Sequence, residues 1–398
     1  MGLIRNVAIF VVLISFFTFV AFFGRLPALR NTPIGALHRV IWIHIPRTFR
    51  AIDQRLTNGR LSSSVNGLAH TLWNDRHPVV LIFFLLLLFV SEVLFLPPAW
   101  PLMATSTQVA AIILIVLPYI FCYLAASSDP GHITPSNHPR EMALYPYDFT
   151  IFYPGHHCRT CHLLKPARSK HCSICKRCVA KQDHHCIFIN NCVGYGNIHW
   201  FLLLLFTTGL LIAYASYTGL NLLWGEIIQA FPDRGTSWLD VFRKSPSWSS
   251  YFGLWGWAMQ QMTRMSAVTL LCLLTNPLVW GLLGYHIYLI WAGTTTNESL
   301  KWSDWQAEMK EGFVFKRKLA EDRQKDLSIE PAWTRWPAES QQTVVRTEDG
   351  RPPQDPRAMG VGDWQRVWNL AEIENLYDLG FWDNLGDVFR GPRRSARI

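Results

Sequence analysis

Seven of the nine cysteines lie between Cys158 and Cys192. That stretch, residues 156–197, reads HHCRTCHLLKPARSKHCSICKRCVAKQDHHCIFINNCVGYGN. Two Cys-x-x-Cys pairs with histidines nearby suit zinc better than disulfides in a reducing compartment. Cys158, Cys161, His171 and Cys178 form C-x2-C-x9-H-x6-C, and Cys172, Cys175, His185 and Cys192 repeat it at a constant offset of 14 residues. Each set supplies the four thiolate and imidazole ligands of a closed tetrahedral site. Two interleaved structural Zn2+ sites follow, each contributing on the order of 10 kcal/mol to folding. Grouping the ligands sequentially instead leaves the histidines without a regular role.

The repeat also identifies what is left over. Cys186 stands 14 residues after Cys172 and would open a third unit, but Ile189 occupies its second cysteine position. His184 is spare, since zinc takes its neighbour His185. A free thiol with a pKa of ~8.5 is only a few per cent thiolate at neutral pH. An adjacent imidazole can take its proton, and a carboxylate can orient that imidazole. Asp183, His184 and Cys186 supply this set. A structural cysteine beside a solvated Asp–His pair fits the same tripeptide. His156, His157 and His162 read as solvated loop residues.

These groups must be held against a membrane. Half of the 398 residues are hydrophobic and only 16% are charged, against about a quarter in ordinary soluble chains. Five apolar stretches are long enough to span a bilayer core of roughly 20 helical residues: Val7–Gly24, Val79–Leu96, Gln108–Ala126, Trp200–Leu223 and Ala267–Ala292. The first reads as an uncleaved anchor. The expected fold is therefore an all-α polytopic membrane protein of about five transmembrane helices, carrying a zinc-stapled cysteine-rich domain of short strands and loops.

Arginine placement orients it. Arg25, Arg30, Arg39, Arg47, Arg50, Arg55, Arg60 and Arg76, with His38, face only Asp53 and Asp75 in the first loop, which places that loop in the cytosol. The cysteine-rich segment and the tail fall on the same side, and the Asn297-Glu298-Ser299 sequon stays unglycosylated there. Basic residues near the membrane read as contacts to anionic lipid or an anionic cofactor. No helix that could read bases lies between the zinc ligands, so nucleic acid is not expected as a partner. Glu92, near the end of its span, reads as snorkelling to the interface. Residues 301–325 suggest an amphipathic segment at the membrane surface, 326–362 a linker or disorder, and Trp364, Val367, Trp368, Ala371 and Leu376 a helical stripe that docks back on the membrane domain rather than binding a partner. Five segments result: 1–78, anchor and basic loop; 79–127, the second and third spans; 128–198, the cysteine-rich domain; 199–292, the last two spans; and 293–398, the tail.

Asp183-His184-His185-Cys186, set in this framework between spans, resembles the DHHC family of protein S-acyltransferases. Asp129-Pro130-Gly131 after the third span, Thr295-Thr296-Asn297-Glu298 after the fifth, and Asn375-Leu376-Tyr377-Asp378-Leu379-Gly380 with Asn384 and Phe389 resemble further family motifs. The resemblance implies a two-step reaction: Cys186 takes a long-chain acyl group from palmitoyl-CoA and passes it to a substrate protein's cysteine. It implies His184 as base, Asp183 as its orienter and His185 as a zinc ligand. The acyl tail would lie among the helices, and the CoA phosphates would meet the basic group of Arg159, Lys165, Arg168, Lys170, Lys176, Arg177 and Lys181. Ile187-Phe188 replaces the Pro-Trp common after the tetrad, and Leu376 replaces a usual proline. The extra first span and long tail resemble the fungal spore-wall-formation branch, which implies an endoplasmic-reticulum enzyme acting on SNARE-type membrane proteins with juxtamembrane cysteines. A zinc-stapled membrane adaptor with an inert Cys186 is the competing class.

Overall fold

A computed structural model describes residues 16–17, 20, 32–64, 66–67, 75–354 and 359–390. Of the expected first span only Phe16, Phe17 and Val20 are among them, so that span lies outside the described residues. The chain divides into two compact units, residues 1–76 with 247–256, and residues 77–246 with 257–398.

In the first unit, α1 (Pro33–Arg39) passes through a single π-turn (Val40–His44) into α2 (Ile45–Thr57). Asn58, with φ of 54°, ends α2 in the left-handed conformation that asparagine tolerates well. Asp53 braces that end, accepting from the Thr57 hydroxyl, from the Ser62 N–H at 2.7 Å and from the Ser62 hydroxyl at 2.5 Å.

The second unit contains four helices long and apolar enough to cross a membrane. They are α3 (Val79–Ala99, extended by a 3-10 turn to Leu102), α4 (Thr105–Ser127), α6 (Ile198–Ala230) and α9 (Thr263–Trp291), with the short α5 (His138–Met142) between the second and third. In the chain α7 (Trp238–Arg243) and α8 (Trp248–Gln261) come between α6 and α9, residues 248–256 of α8 belonging to the first unit. α6 packs against both α4 and α9, while α9 also packs against α3. A Cβ on Gly219 of α6 would sit 2.1 Å from the Thr269 hydroxyl of α9. Without a hydrophobic drive between helices in lipid, such small residues permit the close approach that dispersion requires. Phe83, Phe89, Val90 and Ile113 remain exposed on the outer faces, as a lipid-facing surface demands.

The cysteine-rich segment and the tail sit together at one end of this bundle. Two short hairpins, β1 (Lys170–Cys172) with β2 (Arg177–Val179) and β3 (His184–Cys186) with β4 (Asn191–Val193), carry the repeat. After α9 come α10 (Thr296–Lys310) and a three-stranded antiparallel sheet of order β6-β5-β7, from β5 (Val314–Lys318), β6 (Gln342–Arg346) and β7 (Val361–Arg366). The last element is α11 (Phe381–Arg390).

The sheet corrects two expectations. Residues 326–362 are no continuous linker, since β6 lies inside them and pairs along its whole length with β5. The Trp364–Leu376 stripe is no helix: β7 and a 3-10 turn (Leu370–Glu372) occupy it, burying Val367 and Leu376 but leaving Trp368 half-exposed. Non-local pairing with β5 overrides the one-face helical spacing of Trp364, Val367, Trp368 and Ala371. Nor does 301–325 form one amphipathic surface segment, because Trp305 and Met309 of α10 pack with Val314, Val344, Val367 and Ile373 in a small core. The docking of tail on bundle falls instead to α11, whose Val388, Leu385 and Phe381 join Ile198, Phe201 and Ile290.

Candidate active site

The 14-residue repeat is a structural repeat. Lys170↔Val179, His171↔Cys178 and Cys172↔Arg177 pair across the first hairpin, and His184↔Val193, His185↔Cys192 and Cys186↔Asn191 pair identically across the second. A bridge between His157 and Leu164 adds a third copy upstream, and His162, Lys176 and Asn190 share positive φ values of 55°, 56° and 49°. Each copy is thus the same left-handed knuckle. Cys158 with Cys161 and Cys172 with Cys175 fill the first two knuckles, while Cys186 opens a third whose second position is the buried Ile189.

Two groups of donor atoms result, Cys158, Cys161, His171 and Cys178, and Cys172, Cys175, His185 and Cys192, each with all ligand atoms within 4.8 Å of one another. His171 Nδ1 lies 3.5, 3.4 and 3.8 Å from the three sulfurs of its group. His185 Nδ1 lies 3.7, 3.4 and 3.6 Å from those of the other. Zinc–sulfur and zinc–nitrogen bonds of about 2.3 and 2.0 Å at tetrahedral angles require an S···N edge of about 3.5 Å. Both clusters therefore have the dimensions to hold zinc. His156, His157 and His162 are exposed, outside either cluster.

Cys186 belongs to neither group. It is buried with Cys122, Ile189, Val193 and Phe201 where the hairpin meets the bundle. Its height is set by Asn191, paired across from it, whose side-chain amide donates to the carbonyls of Ala125, Ala126 and Ser128 at the end of α4. Asn197 adds bonds to Ala125 and Cys192. Asp129-Pro130-Gly131 locks against the next turn, where a Cβ on Gly196 would lie 2.2 Å from the Asp129 carbonyl.

His184 Nδ1 is 2.6 Å from Asp183 Oδ2, which leaves Nε2 as the ring nitrogen for the Cys186 thiol. Asp183 is buried and receives the N–H and hydroxyl of Thr296, both at 2.8 Å. Burial alone would raise this carboxyl, but the His184 bond and charge outweigh it and hold it below its ordinary range. Burial would likewise lower the His184 imidazole, yet the bonds to Asp183 and Cys186 override it and push it up to about 9. The arrangement favours a proton on the ring.

Thr295-Thr296-Asn297-Glu298 positions this dyad. Thr295 and Glu298 cap α10 reciprocally, which leaves the Thr296 N–H, in the first helical turn, free for Asp183. Glu298 forms a bidentate pair with Arg168 at 2.8 and 2.6 Å, both side chains 1% exposed. Arg168 lies between the rings of Tyr145 and Tyr377, 5.0 and 4.4 Å from their centroids. The tail closes over it: Asn375 bonds the Ala292 carbonyl, Tyr377 that of Pro146, and Asp387 of α11 receives Lys181 and the Tyr145 hydroxyl at 2.6 Å, and Arg335. Arg168 and Lys181 are thus interior ion-pair partners and leave the solvent-facing basic group expected to meet CoA, whereas Arg159, Lys170, Lys176 and Arg177 are exposed.

Sequence reasoning missed His286. It is buried in α9 with its ring 5.8 Å from that of His184, and Phe201 packs edge-on against both. An ionisable residue inside an apolar span was the available signal.

Beside the site an apolar cavity of about 320 Å3 runs among α3, α4, α6 and α9, lined by Phe84, Phe95, Ala111, Ile212 and Val268, with Phe188 in its wall. Glu92 also lines it and accepts from the Tyr119 hydroxyl at 3.1 Å, so it bonds across helices rather than snorkelling to the interface.

Residues 151–303 match the DHHC palmitoyltransferase family. The chain is 56% identical to the palmitoyltransferase SWF1 of Neurospora crassa over 98% of its own length and 92% of that protein's. The chain belongs to the DHHC palmitoyltransferases. Within the family it is also similar to the palmitoyltransferase swf1 of Emericella nidulans, 44% identical over 98% and 97% of the two chains, and to that of Schizosaccharomyces pombe, 31% identical over 94% and 93%. A fungal Swf-type DHHC palmitoyltransferase is a multi-pass membrane enzyme of the protein S-acyltransferase class, and the four apolar helices and paired zinc-sized clusters among the described residues fit that class.

Proposed function

We propose that the chain transfers a long-chain acyl group from acyl-CoA to cysteine thiols of membrane proteins, through a thioester on Cys186. His184, bonded to Asp183, holds the proton of the Cys186 thiol. The thiolate attacks the acyl-CoA carbonyl, a C–S bond forms to Cys186, and the bond to CoA breaks. The departing CoA sulfur takes the proton from His184. In the second step a substrate cysteine gives its proton to His184 and attacks the acyl carbon, and Cys186 leaves as thiolate. Asp183 keeps the imidazole oriented and stabilises its charged form. Cys158, Cys161, His171 and Cys178 hold one zinc, and Cys172, Cys175, His185 and Cys192 the other; bound zinc staples the hairpins and takes no part in these steps.

The observation that carries this reading is the one cysteine of the knuckle repeat left outside both clusters and facing a histidine–carboxylate pair at the mouth of a membrane bundle. The apolar cavity takes the acyl tail, with Phe188 the aromatic beside the thioester, and exposed basic residues of the hairpins meet the CoA phosphates. The five-segment division, the cytosolic placement of the cysteine-rich domain and tail, residence in the endoplasmic reticulum and SNARE-type substrates complete the proposal. The test is incubation of purified protein with labelled palmitoyl-CoA. Hydroxylamine-sensitive label on Cys186, absent from Cys186→Ser with zinc retained, is the expected result. Label elsewhere, or unchanged label in Cys186→Ser, would leave the adaptor reading standing.

A further inference from the structure

We propose that α2 lies in the plane of the membrane and binds anionic phospholipid, a contact separate from the acyl-transfer site. Its apolar residues Ile45, Phe49, Ile52 and Leu56 follow one another at spacings of four, three and four positions. At 3.6 residues per turn they fall within an arc of about 60°. All four are exposed, by 56, 47, 51 and 77%. An apolar stripe in that state on a folded helix still presents about half or more of each residue's surface to water, at a cost in free energy.

The remainder of the helix selects what covers the stripe. Arg47 and Arg50 lie on the opposite face and Arg55 at its flank, all exposed. The single acid, Asp53, is 3% exposed and already engaged by Thr57 and Ser62. The outward charge of α2 is therefore wholly positive. A narrow apolar stripe with a basic polar face matches the boundary between acyl chains and anionic headgroups, where such helices bury their apolar side by roughly 5–10 Å. Each arginine near that surface gains about fivefold in binding from the negative leaflet potential. The chain enters an apolar span at Val79, so a bilayer lies within covalent reach of α2. A partner protein's groove would have to supply both an apolar trough and a matching acidic rim.

The test uses the full-length protein reconstituted in vesicles of phosphatidylcholine alone or with about a quarter phosphatidylserine. A benzophenone-bearing phenylalanine replaces Phe49 or, in a second variant, Arg50, and adducts are identified by mass spectrometry after irradiation. We expect phospholipid adducts from position 49 and few from position 50, with several-fold more capture in the phosphatidylserine vesicles. Combining Arg47→Gln and Arg55→Gln with the probe at 49 should remove most of that preference. Hydrogen exchange over residues 45–57 should slow in the phosphatidylserine vesicles in parallel. Adducts to protein rather than lipid at position 49, equal lipid capture at 49 and 50, or exchange indifferent to phosphatidylserine would each overturn the proposal.

Discussion

Thr296 offers the sharpest test of how the dyad is held. Its N–H and hydroxyl each reach the Asp183 carboxylate at 2.8 Å, and the hydroxyl binds the same oxygen, Oδ2, that receives His184. Thr296→Val replaces the hydroxyl by a methyl group of nearly equal size and leaves the N–H bond in place. A hydrogen bond to an ionised group contributes about 1.5–3 kcal/mol. Asp183 is nearly inaccessible to water, so solvent cannot replace the lost donor. If the whole loss falls on the barrier, self-acylation slows by about 10- to 100-fold, since ~1.4 kcal/mol is a factor of ten. Single-turnover acylation of Cys186 by labelled palmitoyl-CoA measures this, with zinc content and thermal unfolding as controls. Thr296→Ser keeps the hydroxyl and should recover most of the rate. A valine variant acylating at the wild-type rate with both zinc sites filled would refute the reasoning, as would a serine variant as slow as valine.

Three further outcomes follow from the same geometry. His184→Ala should slow acylation while keeping its zinc, and His185→Ala should lose metal and stability; metal analysis showing equal zinc loss in both would contradict the separation of their contacts. Asp148 is buried, and burial pushes its carboxyl up to about 7 against the opposing N–H bonds from Thr150, Phe152 and Ile151. Because that value lies above the unfolded ~3.9, its contribution to stability is complete in acid and lost as pH rises through 7. Asp148→Asn should therefore gain on wild type in thermal unfolding between about pH 4 and 7 and hold that gain above it, and parallel pH profiles would exclude this. Arg168→Ala leaves the Glu298 carboxylate buried without its partner, which costs about 3–5 kcal/mol; an unchanged melting temperature would show that the pair holds nothing together.

How much of this was legible in the sequence depends on the range of the interaction. The knuckle repeat could be read because metal ligands act through fixed local spacing, so Cys186 and His184 stood out as remainders. The four described spans could be read because each buries its own backbone bonds and needs only continuous apolarity. Pairings that bridge distant parts of the chain could not. Arg168 and Lys181 looked like surface cations, since Glu298 and Asp387 lie 130 and 206 positions away. The β5–β6–β7 sheet was hidden for the same reason: Gln342–Arg346 has strand-forming valines and threonine but sits in polar, proline-rich surroundings, and only pairing with Val314–Lys318 makes it a strand. His286 carried a signal, an imidazole in an apolar run, but nothing nearby pointed to His184.

The clamp from Asn191 onto the last carbonyls of α4 has a consequence for which proteins can be modified. In the proposed reaction, a sulfur fastened to the end of a membrane helix works at one fixed altitude above the lipid. A client cysteine has to arrive at that altitude by the geometry of its own anchor. Selection can then proceed by elevation, with the residues surrounding the client's thiol free to vary.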